Sequence, residues 1–165
     1  MNRRVTFLIA AALALGVLAP TFAQTKNKAD ARVATILSNL GLTYKVTSSG
    51  NYSVTYDEDG DRTQVVFIMS STDTYKSIEI REIWSNAGTF ESEPDASQLI
   101  DLMSESAKNK IGDWALEEQD DGTYLLFYTI KSPVKIDNAA LGMMLQFTAD
   151  IADARELEIF DSDDN

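Results

Sequence analysis

The sequence predicts an α+β domain, a mostly antiparallel sheet built from hairpins with helices packed on it. Three observations carry this. Runs that alternate apolar and polar side chains occur between Leu42 and Trp84 and again between Trp114 and Ile130. Clusters of Gly, Asn, Asp and Ser separate them, the residues that turns require. Three other stretches repeat apolar residues every three or four positions, and each opens on an Asn or Asp suited to an N-cap. The elements read in order as α-β-β-β-β-α-β-β-α.

Asn27 is placed to cap the first helix, with Asp30 in its first turn. Val33, Ile36, Leu37 and Leu40 form its apolar face, and Gly41 stops it. Leu42, Tyr44 and Val46 alternate with Thr43, Lys45 and Thr47 in a first strand, turned back by Ser48 to Asn51. Tyr52, Val54 and Tyr56 make the second strand, and Asp57 to Asp61 a second turn. Val65 to Met69 is continuously apolar and predicts a central strand covered on both faces. Ser70 to Thr74 breaks it. Lys76 to Trp84 is the fourth strand, with Ile78, Ile80 and Trp84 on one face and Glu79, Arg81 and Ile83 on the other; Asn86 to Gly88 is expected to end it.

Asp95 with Gln98 three residues on has the form of a capping box, and Leu99, Met103, Ala107 and Ile111 follow at helical spacing. Trp114 and Leu116 begin a fifth strand, and Asp120-Asp-Gly122 is a hairpin turn. Tyr124 to Ile130 is a sixth strand, apolar on both faces, ended by Ser132-Pro133. Asp137 caps the last helix. One face carries Leu141, Met144, Leu145, Thr148, Ile151 and Ala152, and a second row carries Ala140, Met143, Phe147 and Ala154.

The first 23 residues read as a secretory signal peptide. Arg3-Arg4 is the basic head, Val5 to Ala19 an uncharged apolar run, and Ala23 the small residue before the cut. The run is short for a spanning helix, which needs about 20 apolar residues. Cleavage after Ala23 predicts a periplasmic or secreted protein, with no membrane attachment afterwards. Residues 24–160 form one domain, and the acidic tail 161–165 is expected to be disordered. Loss of Arg3 and Arg4 leaves 12 basic against 26 acidic side chains, a net charge of −14. That charge disfavours nucleic acid and anionic lipid as partners.

The chain contains no Cys and no His. No disulfide staples it, and neither a histidine base, a Ser–His–Asp site nor a Cys or His zinc site can be built. No cofactor is implied. Catalysis would fall to carboxylates, Lys, Tyr, Ser or Thr, with no motif to single any of them out.

Four stretches carry a resemblance: Leu37-Ser-Asn-Leu-Gly-Leu-Thr-Tyr44, Ile80-Arg-Glu-Ile-Trp84, Asn109-Lys-Ile-Gly-Asp-Trp114 and Ala149-Asp-Ile-Ala-Asp153. With the order of elements, they resemble the YbjN-type family, labelled bacterial sensory transduction regulators, from about Ala31 to Phe160. Trp114 stands further from Asn109 than the family pattern has it. The resemblance implies the fold of type III secretion chaperones, a tendency to dimerise and a role in binding protein partners. It implies no catalytic residues.

Several clusters have a structural and a functional reading. Asp57-x-Asp59-Gly60-Asp61 resembles a calcium loop, but Gly60 comes too early for an EF-hand, and a hairpin turn is the better reading. Asn51-Tyr-Ser53 matches a glycosylation sequon, discounted because the leader looks bacterial. Glu79, Arg81 and Glu82 are either a ligand patch or a solvated face with a local ion pair, the latter favoured. Trp84, Trp114, Tyr124, Phe127 and Tyr128 are either a ligand pocket or, as favoured, core. Met143, Met144, Phe147 and Ile151 are a dimer or client face if the second row of the last helix is exposed, and ordinary packing if the first helix covers it. The function expected is an exported, non-enzymatic protein-binding module, chaperone-like or regulatory, working through the sheet and last helix as a homodimer. The alternative is a periplasmic small-ligand or stress-sensing module.

Overall fold

A computed structural model describes residues 28–160. The leader, the cap expected at Asn27 and the acidic tail lie outside the described residues. The elements are α1 (Ala31–Asn39), β1 (Lys45–Val46), β2 (Tyr52–Glu58), β3 (Arg62–Ile68), β4 (Asp73–Tyr75), β5 (Ile78–Phe90), α2 (Ala96–Ser106), β6 (Asp113–Glu118), β7 (Tyr124–Pro133) and α3 (Asn138–Ile159). The seven strands form one antiparallel sheet in the order β1-β2-β3-β5-β7-β6, with β4 paired to β5. The architecture is therefore α+β with helices on the sheet, as the residue pattern predicts.

One face of the sheet carries the core. Val54, Val66, Ile68, Ile83, Leu126, Tyr128 and Ile130 point to it, and Val33 and Leu37 of α1 with Leu141, Leu145, Ala149 and Ala152 of α3 close over them. The first row expected on α3 is thus largely the buried one. No helix among the described residues lies on the opposite face. There Val65, Phe67, Trp84, Leu125 and Phe127 are half-buried, shielded by one another: Phe67 stacks on Trp84 with centroids 4.4 Å apart, and Phe127 meets Trp84 edge-on at 5.6 Å. The two strands expected to be covered on both faces are covered by helices on one face and by their own aromatics on the other.

The structure corrects the expected elements in several places. The fourth strand divides in two, because Lys76 at φ 54° makes a tight turn between β4 and β5. β5 does not stop at Asn86-Ala-Gly88. A register shift between Asn86 and Gly88 absorbs those residues, Gly88 N donates to Asn86 Oδ1 at 2.8 Å, and pairing with β7 resumes to Phe90. Ser132-Pro133 does not end its strand early; both residues still pair with β5. β1 is only two residues long. The capping side chain of α1 is Asp30, which accepts from Arg32 N at 2.9 Å.

The side chains of β5 divide between two faces as the alternation predicts, but the helices cover the face that carries Arg81. Arg81, Ile83, Ser85 and Ala87 face the core, and Trp84 faces the open side. Arg81, 5% exposed, is buried as an ion pair. Its Nη2 donates to Asp30 Oδ2 at 2.5 Å and its Nη1 to the Met69 carbonyl. Arg32 pairs with Asp30 and, in a fork at 2.8 and 2.9 Å, with Glu79. Thr72 Oγ1 also donates to Glu79. One network therefore ties the N-terminus of α1 to the centre of the sheet. Glu79 and Arg81 belong to it, and their pairing reaches beyond their own strand to α1. At the junction of β3 and β5, Gln64 Nε2 donates to Ser85 Oγ at 2.8 Å, and Ser85 Oγ donates to the Val65 carbonyl.

Arg81→Met leaves Asp30 paired with Arg32 but takes a donor from the Met69 carbonyl and from one Asp30 oxygen, and it is expected to destabilise the domain by about 1–3 kcal/mol in urea titration. The network also sets an acid limit. Hydrogen bonds from Arg32 first, and from Arg81, hold the Asp30 carboxyl well below its usual range, and Arg32 holds Glu79 down to about 2. Depressed carboxyl pKa values stabilise the fold above the unfolded value of 4.5 for Glu and 3.8 for Asp, and that stability is lost as pH falls further. Thermal melts are expected to be flat near neutrality and to fall below about pH 4.5, with a shallower acid slope in Asp30→Asn.

Candidate functional site

α2 begins on the expected capping box. Asp95 accepts from Ser97 N and Gln98 N, and Gln98 Oε1 accepts from Asp95 N at 2.9 Å. Its apolar face is not the one expected. Leu102 is the buried residue, while Met103 is 73% exposed and Ile100 is also exposed. Ala107 is the C-cap and Ile111 lies beyond the helix. The reason is position: α2 packs beside β6, at the edge of the sheet, so only a narrow strip of it finds cover.

Between α2 and β6 runs an apolar groove of about 490 Å³. Leu99, Leu102 and Met103 form its helix side, and Trp114, Leu116 and Leu126 its sheet side. Two fastenings hold the walls apart at fixed geometry. Trp114 N donates to Ser106 Oγ at 2.9 Å, joining the start of β6 to the end of α2. Arg155 of α3 pairs with Glu105 of α2 and sits 5.6 Å from the centroid of the Trp114 ring. Below the groove, Trp114 packs edge-on against Tyr128 at 5.1 Å. The Tyr128 hydroxyl donates to the Ile111 carbonyl, and burial pushes its pKa up to about 12. Trp114 Nε1 is buried with no hydrogen-bond partner among the described residues.

The residues singled out in the sequence scatter. Met143 is 67% exposed on α3, but Met144, Phe147 and Ile151 are half-buried and pack against the core. The Phe147 ring lies 6.0 Å from that of Tyr128. The four do not make one exposed row. Asp57 to Asp61 is the β2–β3 hairpin, with Glu58 opposite Arg62 and positive φ at Gly60 and Asp61. Among the described residues no cluster of three or more carboxylates is arranged to hold a metal ion. The five aromatics divide: Tyr128 is core and Trp114 lies over it, Tyr124 is half-buried at the start of β7 between Phe90 and Glu118, and Trp84 and Phe127 line a concavity of about 200 Å³ on the open face with Met69, Glu82, Glu117 and Leu125. Glu82 there pairs with Lys131 at 2.7 Å and accepts from Thr129 Oγ1. Glu58 has a raised pKa, from burial and from Asp150 and Asp153, where α3 crosses the hairpin.

The groove was not foreseen as a site. Its signal in the sequence is that Leu99, Ile100, Leu102 and Met103 cover more of the helix circumference than a helix at a sheet edge can bury.

Compared with models of known protein families and with curated protein sequences, the chain matches none. No helix among the described residues is long and apolar enough to cross a membrane.

The placement on α3 separates two substitutions. Met143→Lys is expected to change stability by less than about 0.5 kcal/mol, as for an exposed position. Phe147→Asp puts a charge against the core and is expected to cost about 3 kcal/mol or more in chemical denaturation.

Proposed function

We propose that the chain is an exported, non-enzymatic protein-binding module, and that its binding surface is the groove between α2 and β6. The observation that carries this is the groove itself. At about 490 Å³ it is larger than the open-face concavity, it lies open beside an edge strand, and Met103 in its wall is 73% exposed. Met, with its unbranched side chain, suits a surface that adapts to a partner. The signal-like leader supports export to the periplasm or beyond. The YbjN-type resemblance, with the type III secretion chaperone layout it implies, supports a chaperone-like or regulatory role for the module.

A small-ligand or stress-sensing module is the second reading. Its support is the open-face concavity walled by Trp84, Phe127 and Glu82. At about 200 Å³ it is smaller than the roughly 300–1,000 Å³ usual for small-molecule sites. The protein-binding reading therefore ranks first.

A photo-crosslinking residue at position 103, in the protein expressed in its native cell, tests the assignment, with position 45 on the opposite edge as control. One dominant protein adduct is expected from position 103 and none from position 45. Adducts in equal measure from both positions, or none from position 103, would sink the assignment of the groove.

A further inference from the structure

We propose that the partner is an extended segment of another protein that joins the outer edge of β6 as an additional strand. Its alternate apolar side chains would enter the α2–β6 groove, and the intervening side chains would be basic. This rests on the protein-binding reading above and specifies the partner for the same groove.

The backbone of β6 carries the first half. In an antiparallel pair, residues alternate between those that aim both N–H and C=O at the partner strand and those that aim both away. Gln119 N donates to the Thr123 carbonyl at 2.8 Å, which makes that position a bonded pair across the β6–β7 turn. Counting back by twos, Glu117, Ala115 and Asp113 face β7. Trp114, Leu116 and Glu118 therefore direct their backbone groups outward. Trp114 confirms the phase, because its N–H leaves the sheet to reach Ser106 Oγ at 2.9 Å. That side chain occupies one outward donor. Among the described residues the backbone groups of Leu116 and Glu118 have no second strand, since β6 pairs there with β7 alone. They form a template for strand addition.

The groove follows this edge. It is lined by Ala115 as well as Leu116, residues that point to opposite faces of the sheet. A strand laid beside β6 would place every second side chain on the helix-covered side, where Leu99, Leu102, Met103 and Leu126 wait. An inserted backbone carbonyl or side-chain acceptor could also meet the unpartnered Trp114 Nε1.

Charge selects the occupant. Asp113, Glu117 and Glu118 are exposed on β6, and Asp120 and Asp121 on the turn beyond it. From Ile111 to Ile130 the chain has no basic residue, and α2 has none either; Lys108 and Lys110 lie in the loop between them. A second copy would set acidic β6 against acidic β6, with like charges facing across the new pair, which is destabilising. A basic strand meets opposite charge along the same edge.

The test is calorimetric titration of the mature chain with synthetic peptides of about ten residues, a length that spans β6 with overhang. One alternates Lys and Val, one has the same composition in two blocks, and one alternates Glu and Val. The alternating basic peptide is expected to bind at least about tenfold more tightly than either other peptide. Glu118→Pro removes one outward N–H at an edge position where proline is tolerated, and Glu118→Gln removes the charge alone. Glu118→Pro is expected to weaken binding about tenfold beyond Glu118→Gln, with an unchanged circular dichroism spectrum. Peptides that bind equally whatever their pattern, or a Glu118→Pro variant that binds like Glu118→Gln, would overturn strand addition. A dimer in sedimentation that Glu118→Pro dissociates would place a second copy on the edge and overturn it as well. In either case a single adduct from position 103 keeps the protein-binding reading, and the absence of that adduct removes both.

Discussion

The pairing of β5 with β7 is the constraint on which the rest of the structure depends. It runs from Ile80 opposite Pro133 to Phe90 opposite Tyr124 and survives a bulge at Asn86–Gly88. Every other element takes its place from it. β3 and β4 share the far side of β5, β6 hangs from the far side of β7, and α3 lies across β5, β3 and β7. The bulge keeps the pairing long by taking up the residues that do not fit the ladder. Gln64 and Ser85 then satisfy polar groups beside that irregularity in the core.

Two consequences follow from a long pair in the middle of a sheet with helices on one face. The first is that the central strands bury apolar residues on both sides although the described helices lie on only one. Phe67, Trp84 and Phe127 stand on three strands in a row and cover each other. The second is that α2, inserted between β5 and β6 in the chain, must descend at the edge of the sheet. There it has a strand's flank to pack on instead of a face, and the groove is what that geometry leaves open. Arg155, reaching from α3 to Glu105 and over Trp114, holds the edge in place without filling it.

Much of the fold was legible in the residues, and the parts that were not have a common cause. Capping boxes and turn residues act within four or five positions, so the start of α2 at Asp95, the start of α3 at Asp137 and the turns at Gly60 and Gly122 could be read directly. The helical spacing of Leu141, Leu145, Thr148 and Ala152 likewise marked the buried row of α3. Burial of Arg81 could not be read, because it depends on Asp30 arriving from 51 residues away. The true face of β5 went with it: alternation shows that two faces exist but not which one the helices cover. Asn86-Ala-Gly88 reads as a stop locally and is a bulge only because β7 continues alongside. The candidate site was less legible than the fold. Met143, Met144, Phe147 and Ile151 were singled out together, yet three of them pack inward, and the open apolar surface lies on a different helix.

The sequence by itself determined the number and kind of helices, the hairpin turns, the apolar residues available for a core, and the chemistry excluded by the absence of His and Cys. These are matters of composition and short-range pattern, and short-range physics decides them. Only the tertiary structure decided which apolar surplus is satisfied and which is left open. Met103 and Phe147 are both apolar residues on amphipathic helices. One faces water and the other faces Tyr128 because α2 meets the rim of the sheet and α3 its centre. That difference is set by the order of strands, which no local pattern encodes.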